Sequence, residues 1–105
     1  MPLSPLSASE RAAALEAATR ARKIRAEVKA DLKSGKRSLK EVIELGKSDD
    51  VIGKMKVNAL IEALPGVGKV RATVVMAKVG IASSRRIRGL GVHQTRDLLA
   101  EFQLR

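Results

Sequence analysis

Residues 64–69, with the sequence LPGVGK, carry the clearest chemical signature of the chain. Pro65 and Gly66 break a preceding apolar helix, and Gly66 and Gly68 let the backbone turn sharply and approach a ligand without an intervening side chain. We expect a new helix to begin at about Lys69, so that its free amide groups and its positive dipole end face an anion. The segment is therefore predicted to bind a phosphate through backbone groups, with the charge of Lys69 beside them.

The charge around this segment favours phosphate binding over an ordinary link between two helices, which would use the same glycines for their geometry alone. No acid lies between Leu64 and Arg96, so nothing close in sequence opposes an anion. A nucleotide-binding P-loop is excluded, because that motif needs a Ser or Thr after the lysine and a preceding strand. Here Val70 follows Lys69, and no strand is predicted before it.

Residues 83–89, with the sequence SSRRIRG, form a second cationic segment on an expected loop. Arg85, Arg86 and Arg88 place three guanidinium groups within four residues, which suits bidentate phosphate contacts or entry into a narrow minor groove. Two other interpretations stay open, namely a solvated basic loop and a set of partners for the acids grouped around the short second helix. Those acids are Glu41, Glu44, Asp49 and Asp50.

Basic residues elsewhere extend the candidate interface. Lys54 and Lys56 lie at a turn that begins at Gly53, and Arg71 follows Lys69 in the acid-free part of the chain. We assign secondary contacts, to a second or a flanking duplex, to one set of cations on the first helix. They are Arg22, Arg25, Lys29 and Lys33. Ordinary surface charge is the alternative for the lysine pair and for the helix.

The overall composition limits both the partner and the chemistry. The 105 residues include 21 Lys and Arg against 11 Asp and Glu, a formal net charge of +10 that favours a polyanionic partner. Because Phe102 is the only aromatic residue, the chain cannot stack bases on aromatic platforms, so double-stranded DNA is the expected partner. With no Cys and one His, we predict no metal site, no cofactor and no catalytic residues.

No membrane partner and no small-molecule substrate are expected. No apolar run approaches the roughly 20 residues of a spanning helix, and the N-terminal sequence MPLSPLSASE lacks the pattern of a signal peptide. We therefore expect a cytoplasmic protein.

The sequence predicts an all-α fold, because no segment shows the period-two alternation of a strand. Ser7 with Glu10, and Ser38 with Glu41, have the spacing of capping boxes that open the first and second helices. The first helix is expected to run to about Leu32 and to bury only a narrow stripe rich in alanine, so that its N-terminal half protrudes. We divide the chain into an N-terminal extension with this long helix, residues 1–36, and a compact domain, residues 37–105.

Later elements are predicted from glycines and apolar spacing. Gly46 is expected to end the second helix in a left-handed conformation. A helix over residues 69–79 is expected to turn three apolar residues inward, namely Val70, Val74 and Ala77. The last helix begins at about Val92 and contributes Leu98, Leu99 and Phe102 to the core.

Residues 53–91, which contain the runs LPGVGKVRA and RRIRGLG, closely resemble the integration host factor of actinobacteria, the mycobacterial and streptomycete type. The resemblance implies a long N-terminal helix followed by a helix-two-turns-helix domain. It also implies a monomeric, nucleoid-associated protein that binds duplex DNA with little sequence preference and bends or compacts it. By position, the resemblance assigns DNA contacts to the turn at Lys54 and Lys56, to the hairpin, and to the arginine segment. These assigned residues are Lys54, Lys56, Gly66, Gly68, Lys69, Arg85, Arg86 and Arg88.

Two other resemblances give alternatives. The same domain resembles part of a ribosomal small-subunit protein, so an RNA-binding module is the second interpretation. It also resembles the middle domain of formamidopyrimidine-type DNA glycosylases, which use a proline exposed by removal of the initiator Met, and this chain begins Met1-Pro2. Leu3 stands where those enzymes have an acid, and no Cys is available for their zinc finger. We therefore predict that the chain is not an enzyme.

Overall fold

A computed structural model describes residues 7–103, and this part of the chain is helical apart from turns and one isolated β-bridge between Lys56 and Arg86. In chain order, the helices are α1 (Ala8–Ser34), α2 (Leu39–Gly46), α3 (Asp50–Gly53), α4 (Val57–Ala63), α5 (Lys69–Val79), a 3-10 turn (Ile87–Gly89) and α6 (Val92–Gln103). The predicted all-α fold is confirmed. The N-terminal Pro2, weighed as a feature of an enzyme, lies outside the described residues. None of the described helices is both long and apolar enough to cross a membrane.

The helix starts follow from local hydrogen bonds that the sequence predicts. The Ser7 hydroxyl accepts from the Glu10 amide at 3.1 Å while the Glu10 carboxylate accepts from the Ser7 amide at 3.1 Å. Ser38 and Glu41 form the same reciprocal pair at the start of α2, with both distances 3.1 Å. Each box satisfies amides that the first turn of a helix leaves without partners. Both predicted capping boxes are confirmed.

The core is built on the C-terminal half of α1. Val28 and Leu32 are buried there, whereas Leu15 in the N-terminal half has 66% of its surface exposed. Of the later helices, α3 and α4 pack against α1, and Leu98 of α6 completes the core with Leu99 and Phe102 packed against it. The alanine-rich stripe thus buries little, as predicted, and the described chain is elongated, 52 Å along its longest axis.

The structure corrects the inner face predicted for α5. Val70 and Val74 are 79% and 60% exposed, and Ala77 is exposed too. The buried residues of this helix are Ala72, Val75 and Met76. Residues 69–79 carry two apolar stripes of helical spacing, and spacing alone does not say which of them the rest of the chain covers.

The conformation predicted for Gly46 is wrong as well. Gly46 is a buried residue within α2, and the helix ends at Lys47 in a right-handed conformation. A side chain at position 46 would overlap the side chain of Ile87. Gly46 is therefore required for close packing between α2 and the 3-10 turn, and not for a left-handed helix end.

Candidate nucleic-acid interface

The hairpin of residues 64–69 presents backbone amides at the start of α5. Gly66 has a φ of 74°, in the left-handed region that favours glycine, and Val67 is buried and so fixes the hairpin to the core. No side chain caps α5, whose first backbone bond runs from the Ala72 amide to the Gly68 carbonyl at 3.0 Å. The amides at positions 69–71 make no hydrogen bond to any described residue, and free amides at a helix start attract anions.

Around the 3-10 turn, residues 85–89 form what we call the arginine turn, which is fixed by backbone bonds to the turn at residues 54–56. The Val57 amide donates to the Arg85 carbonyl at 3.0 Å, and the Ile87 amide donates to the Met55 carbonyl at 3.0 Å. Ile87 is 1% exposed. Sequence reasoning treated this segment as an exposed loop and missed the anchor. The available signal was Ile87 itself, a large apolar residue among three arginines.

Each guanidinium of the arginine turn is hydrogen-bonded within the protein. Arg85 donates to the Gly89 carbonyl at 2.8 Å. Arg86 reaches across the β-bridge and donates to the Lys54 carbonyl. These two side chains therefore stabilise the local backbone, although both are exposed and keep donors that face solvent.

Arg88 instead forms an ion pair with Asp50, the first residue of α3. The Arg88 guanidinium lowers the pKa of the Asp50 carboxyl below its ordinary value, chiefly through this hydrogen bond and then through its charge, with a smaller effect of the charge on Lys54. The interpretation of the arginines as partners for acids is thus borne out at Arg88. Its partner lies at the start of α3 and not within α2.

Cations that are far apart in the sequence line a common groove. Arg25 and Lys29 of α1 face Lys54, Lys56 and Arg86 across it. Sequence reasoning assigned the α1 residues to a second or flanking duplex, separate from the main contacts. The structure instead places two of them beside the main candidate residues, because α1 packs against both α3 and α4.

A second groove continues this surface to the hairpin. Lys29 and Lys33 line it with Gly66 and Gly68, and Glu62 contributes an acid. Lys29 belongs to both grooves, so the two are adjacent. We call their cations, together with the hairpin residues that line the second groove, the basic face. It consists of Arg25, Lys29, Lys33, Lys54, Lys56, Arg86 and residues 64–68.

Acids gather on a different side of α1. Glu27 lines another groove with Asp49, and Asp31 forms an ion pair with Arg37 at 3.0 Å. The C-terminal half of α1 therefore separates the basic face from a surface of mixed charge. That asymmetry is typical of a surface that docks on a polyanion.

Comparisons with known proteins identify the family of this chain. The family described as "S13-like H2TH domain" matches residues 32–102. The integration host factor of Streptomyces coelicolor is 59% identical over 102 residues, which cover 97% of this chain and 95% of that protein. The integration host factor of Mycolicibacterium smegmatis is 52% identical over 102 residues, 97% of each chain. This chain belongs to the integration host factor family.

One solved structure of a family member contains a ligand. It is described as sIHF bound to an 8bp palindromic DNA, is 59% identical in sequence and superimposes with a TM-score of 0.81. The superposition covers 83% of this chain and 98% of that one. The helix-two-turns-helix fold predicted from the sequence is therefore confirmed.

The remaining predicted site residues lie outside the two grooves of this integration host factor family member. Lys69, the last residue of the hairpin, is exposed, and Arg71 is half-buried; both lie on the first turn of α5. Arg22 is exposed on α1, where it donates to the Thr19 hydroxyl at 3.5 Å. Arg88 points to Asp50. Lys69 and Arg71 thus extend the basic face at the hairpin, whereas Arg22 extends it along α1.

Proposed function

We propose that this member of the integration host factor family binds double-stranded DNA along the basic face, largely through phosphates and with little sequence preference. One observation carries the proposal. The hairpin, the turn at Lys54 and Lys56, and the C-terminal half of α1 together form one cationic surface. The bound DNA of the solved relative supports the choice of partner. Phosphate contacts fix a protein on the duplex but carry no sequence information.

The binding groups differ along the basic face, and each type of group favours a different contact with DNA. The amides at residues 69–71 and the charge of Lys69 bind one phosphate, because a helix start offers free N–H groups and a positive dipole end. Lysines on α1 and at positions 54 and 56 neutralise neighbouring phosphates as point charges. Arg86, which keeps exposed donors beside them, supplies a bidentate contact to phosphate or enters the minor groove.

The same proposal includes deformation of the DNA. Because Phe102 is the only aromatic residue in the sequence and is half-buried against the core, an aromatic wedge is not the source of bending. Arginine in a narrowed minor groove, an aliphatic wedge, or contacts on two sides of the duplex remain as sources. We infer a monomeric architectural protein of the nucleoid that compacts DNA without catalysis, cofactor or small-molecule substrate.

The dependence of affinity on salt tests this proposal. With about four to seven phosphates neutralised, log K should fall against log salt with a slope of about −4 to −6. Scrambling the duplex sequence should change affinity much less. A slope near −1, or a large loss of affinity on changing one base pair, would show that contacts to bases dominate.

Competition between duplex DNA and structured RNA separates the proposal from its main alternative. The RNA-binding interpretation rests on the likeness of the domain to ribosomal S13. Labelled duplex DNA bound to the protein is challenged with increasing hairpin RNA of the same charge. The proposal expects the DNA to be retained, and preferential displacement by RNA would favour the ribosomal type of function.

A further inference from the structure

The Arg88 side chain lies against α3 at Gly53. A side chain at position 53 would overlap the Gly46 carbonyl oxygen, so glycine is required there for close packing of α3 against α2, and its Cβ would also lie 3.2 Å from Arg88 Nε. Arg88 thus passes over the end of α3 and reaches the Asp50 carboxylate at the start of the helix. Arg86, by contrast, lines the groove of the basic face.

The Asp50 carboxylate lies beside the proposed DNA surface. Lys54, which lines the groove of that surface, donates its backbone amide to the Asp50 carbonyl at 3.2 Å, one helical turn away. The side chain of Asp50 is 80% exposed and that of Arg88 is 49% exposed. An ion pair so exposed is weak, because both groups remain in contact with water, and it exchanges readily for a competing partner.

We propose that Asp50 acts as an intramolecular substitute for a DNA phosphate. It holds Arg88 in the free protein, and the DNA backbone must displace it to gain the arginine. A carboxylate offers guanidinium the same planar pair of oxygens that a phosphate does. The inference rests on the proposed function. Asp50 then lowers the affinity for DNA although it does not itself contact DNA.

The alternative role of Asp50 predicts the opposite effect. If the carboxylate served to orient Arg88 toward DNA, removing its charge would leave the arginine less ordered and weaken binding. As a competitor, the same carboxylate occupies Arg88 and must be displaced before the arginine can bind a phosphate. Its removal should then strengthen binding, so the sign of the change separates the two roles.

The test measures duplex affinity across a salt series for the parent chain and for Asp50→Asn. We expect binding about threefold to tenfold tighter at low salt. The slope of log K should steepen by up to about 0.9, because in the parent chain the displaced Asp50 carboxylate takes up a cation and so offsets the cation that Arg88 releases from the DNA. Asp49 provides the cap of α3 through the Ile52 amide, so the substitution leaves that cap in place. Asp50→Ser serves as a second variant should Asn lower the helicity.

Two controls isolate the ion pair. Glu44→Gln makes the same change in net charge at an exposed residue of α2 that pairs with no cation of the described chain, and its effect should stay below about twofold. In an Arg88→Ala background, Asp50→Asn should improve binding no more than Glu44→Gln does. Unchanged or weaker binding by Asp50→Asn, or a gain that persists without Arg88, overturns the inference. Failure of the parent chain to bind duplex DNA would instead overturn the proposed function.

Discussion

The hairpin of residues 64–69 and the arginine turn of residues 85–89 are both expected to contact DNA, but they are built in different ways. The hairpin offers backbone amides that no side chain caps. The arginine turn offers side chains, and each of its guanidinium groups is already hydrogen-bonded within the protein. The hairpin is therefore free to receive a phosphate. At the arginine turn Arg85 and Arg86 keep free donors, whereas Arg88 must exchange its partner Asp50 for a phosphate.

This difference shows which residues each site depends on. At the hairpin, the binding groups are main-chain atoms at a helix start, so the conformation of the chain matters more than the side chains. At the arginine turn, the binding groups are side chains, and the turn is held by two backbone bonds and by the buried Ile87, which packs where Gly46 leaves space. Core packing and DNA binding are thus coupled at the arginine turn.

The largest expected effect concerns that coupling. Ile87→Ala removes a fully buried side chain, and the free energy of unfolding should fall by about 2 to 4 kcal/mol because a cavity remains. Val67→Ala in the hairpin should cost less, about 1 to 2 kcal/mol, since fewer methyl groups are removed from a less buried site. Urea unfolding followed by circular dichroism measures both. Equal losses of stability would show that Ile87 is not the stronger anchor.

A smaller effect is expected from removing the arginines themselves. Changing Arg85, Arg86 and Arg88 to Ala should leave the helices intact and shift the salt slope toward zero by about 0.9 for each phosphate that is no longer neutralised. Affinity at low salt should fall at least about tenfold. The matched control changes the exposed Lys36, Lys40 and Lys47 to Ala, which removes the same charge. If both triple variants bind DNA equally weakly, net charge and not the arginine turn is responsible.

The smallest effect is expected at the hairpin, where stability and binding should change in opposite directions. Gly68 is the N-cap of α5 with extended backbone, and a side chain there would meet nothing within 4 Å. In Gly68→Ser the hydroxyl can accept from a free amide of α5, which stabilises the helix by a few tenths of a kcal/mol. The same hydroxyl occupies the phosphate position, so DNA affinity should fall severalfold. Thermal unfolding and DNA titration of one sample check both, and unchanged affinity would exclude the hairpin as a phosphate site.

Features with a local cause could be predicted from the sequence. The two capping boxes and the break at Pro65 and Gly66 depend on residues a few positions apart, so the helix starts and the hairpin follow from spacing. The inner face of α5 could not be predicted, because both apolar stripes of that helix fit the pattern. The conformation predicted for Gly46 was wrong for a related reason. The residue against which it packs, Ile87, lies about 40 positions away in the sequence.

The composition of the candidate site was predictable, but its arrangement was not. The absence of acids between Leu64 and Arg96 identified the hairpin and the arginines, whereas the lysine pair was identified by its position at the turn after Gly53. The meeting of Arg25 and Lys29 with Lys54 depends on the packing of α1 against the later helices. The pairing of Arg88 with Asp50 likewise joins residues 38 positions apart in the sequence. Interactions between distant residues of this kind carry no short-range signal.

The most direct test of the account is to map the DNA-binding surface residue by residue. Amide signals of the isotope-labelled protein are followed by nuclear magnetic resonance as a short duplex is added, and scrambled duplexes serve as controls. The account predicts the largest shifts at residues 66–71, at residues 85–89 and along the C-terminal half of α1, with similar patterns for every duplex sequence. Shifts confined to α6 or to the N-terminal half of α1, with the hairpin and the arginine turn unaffected, would contradict it.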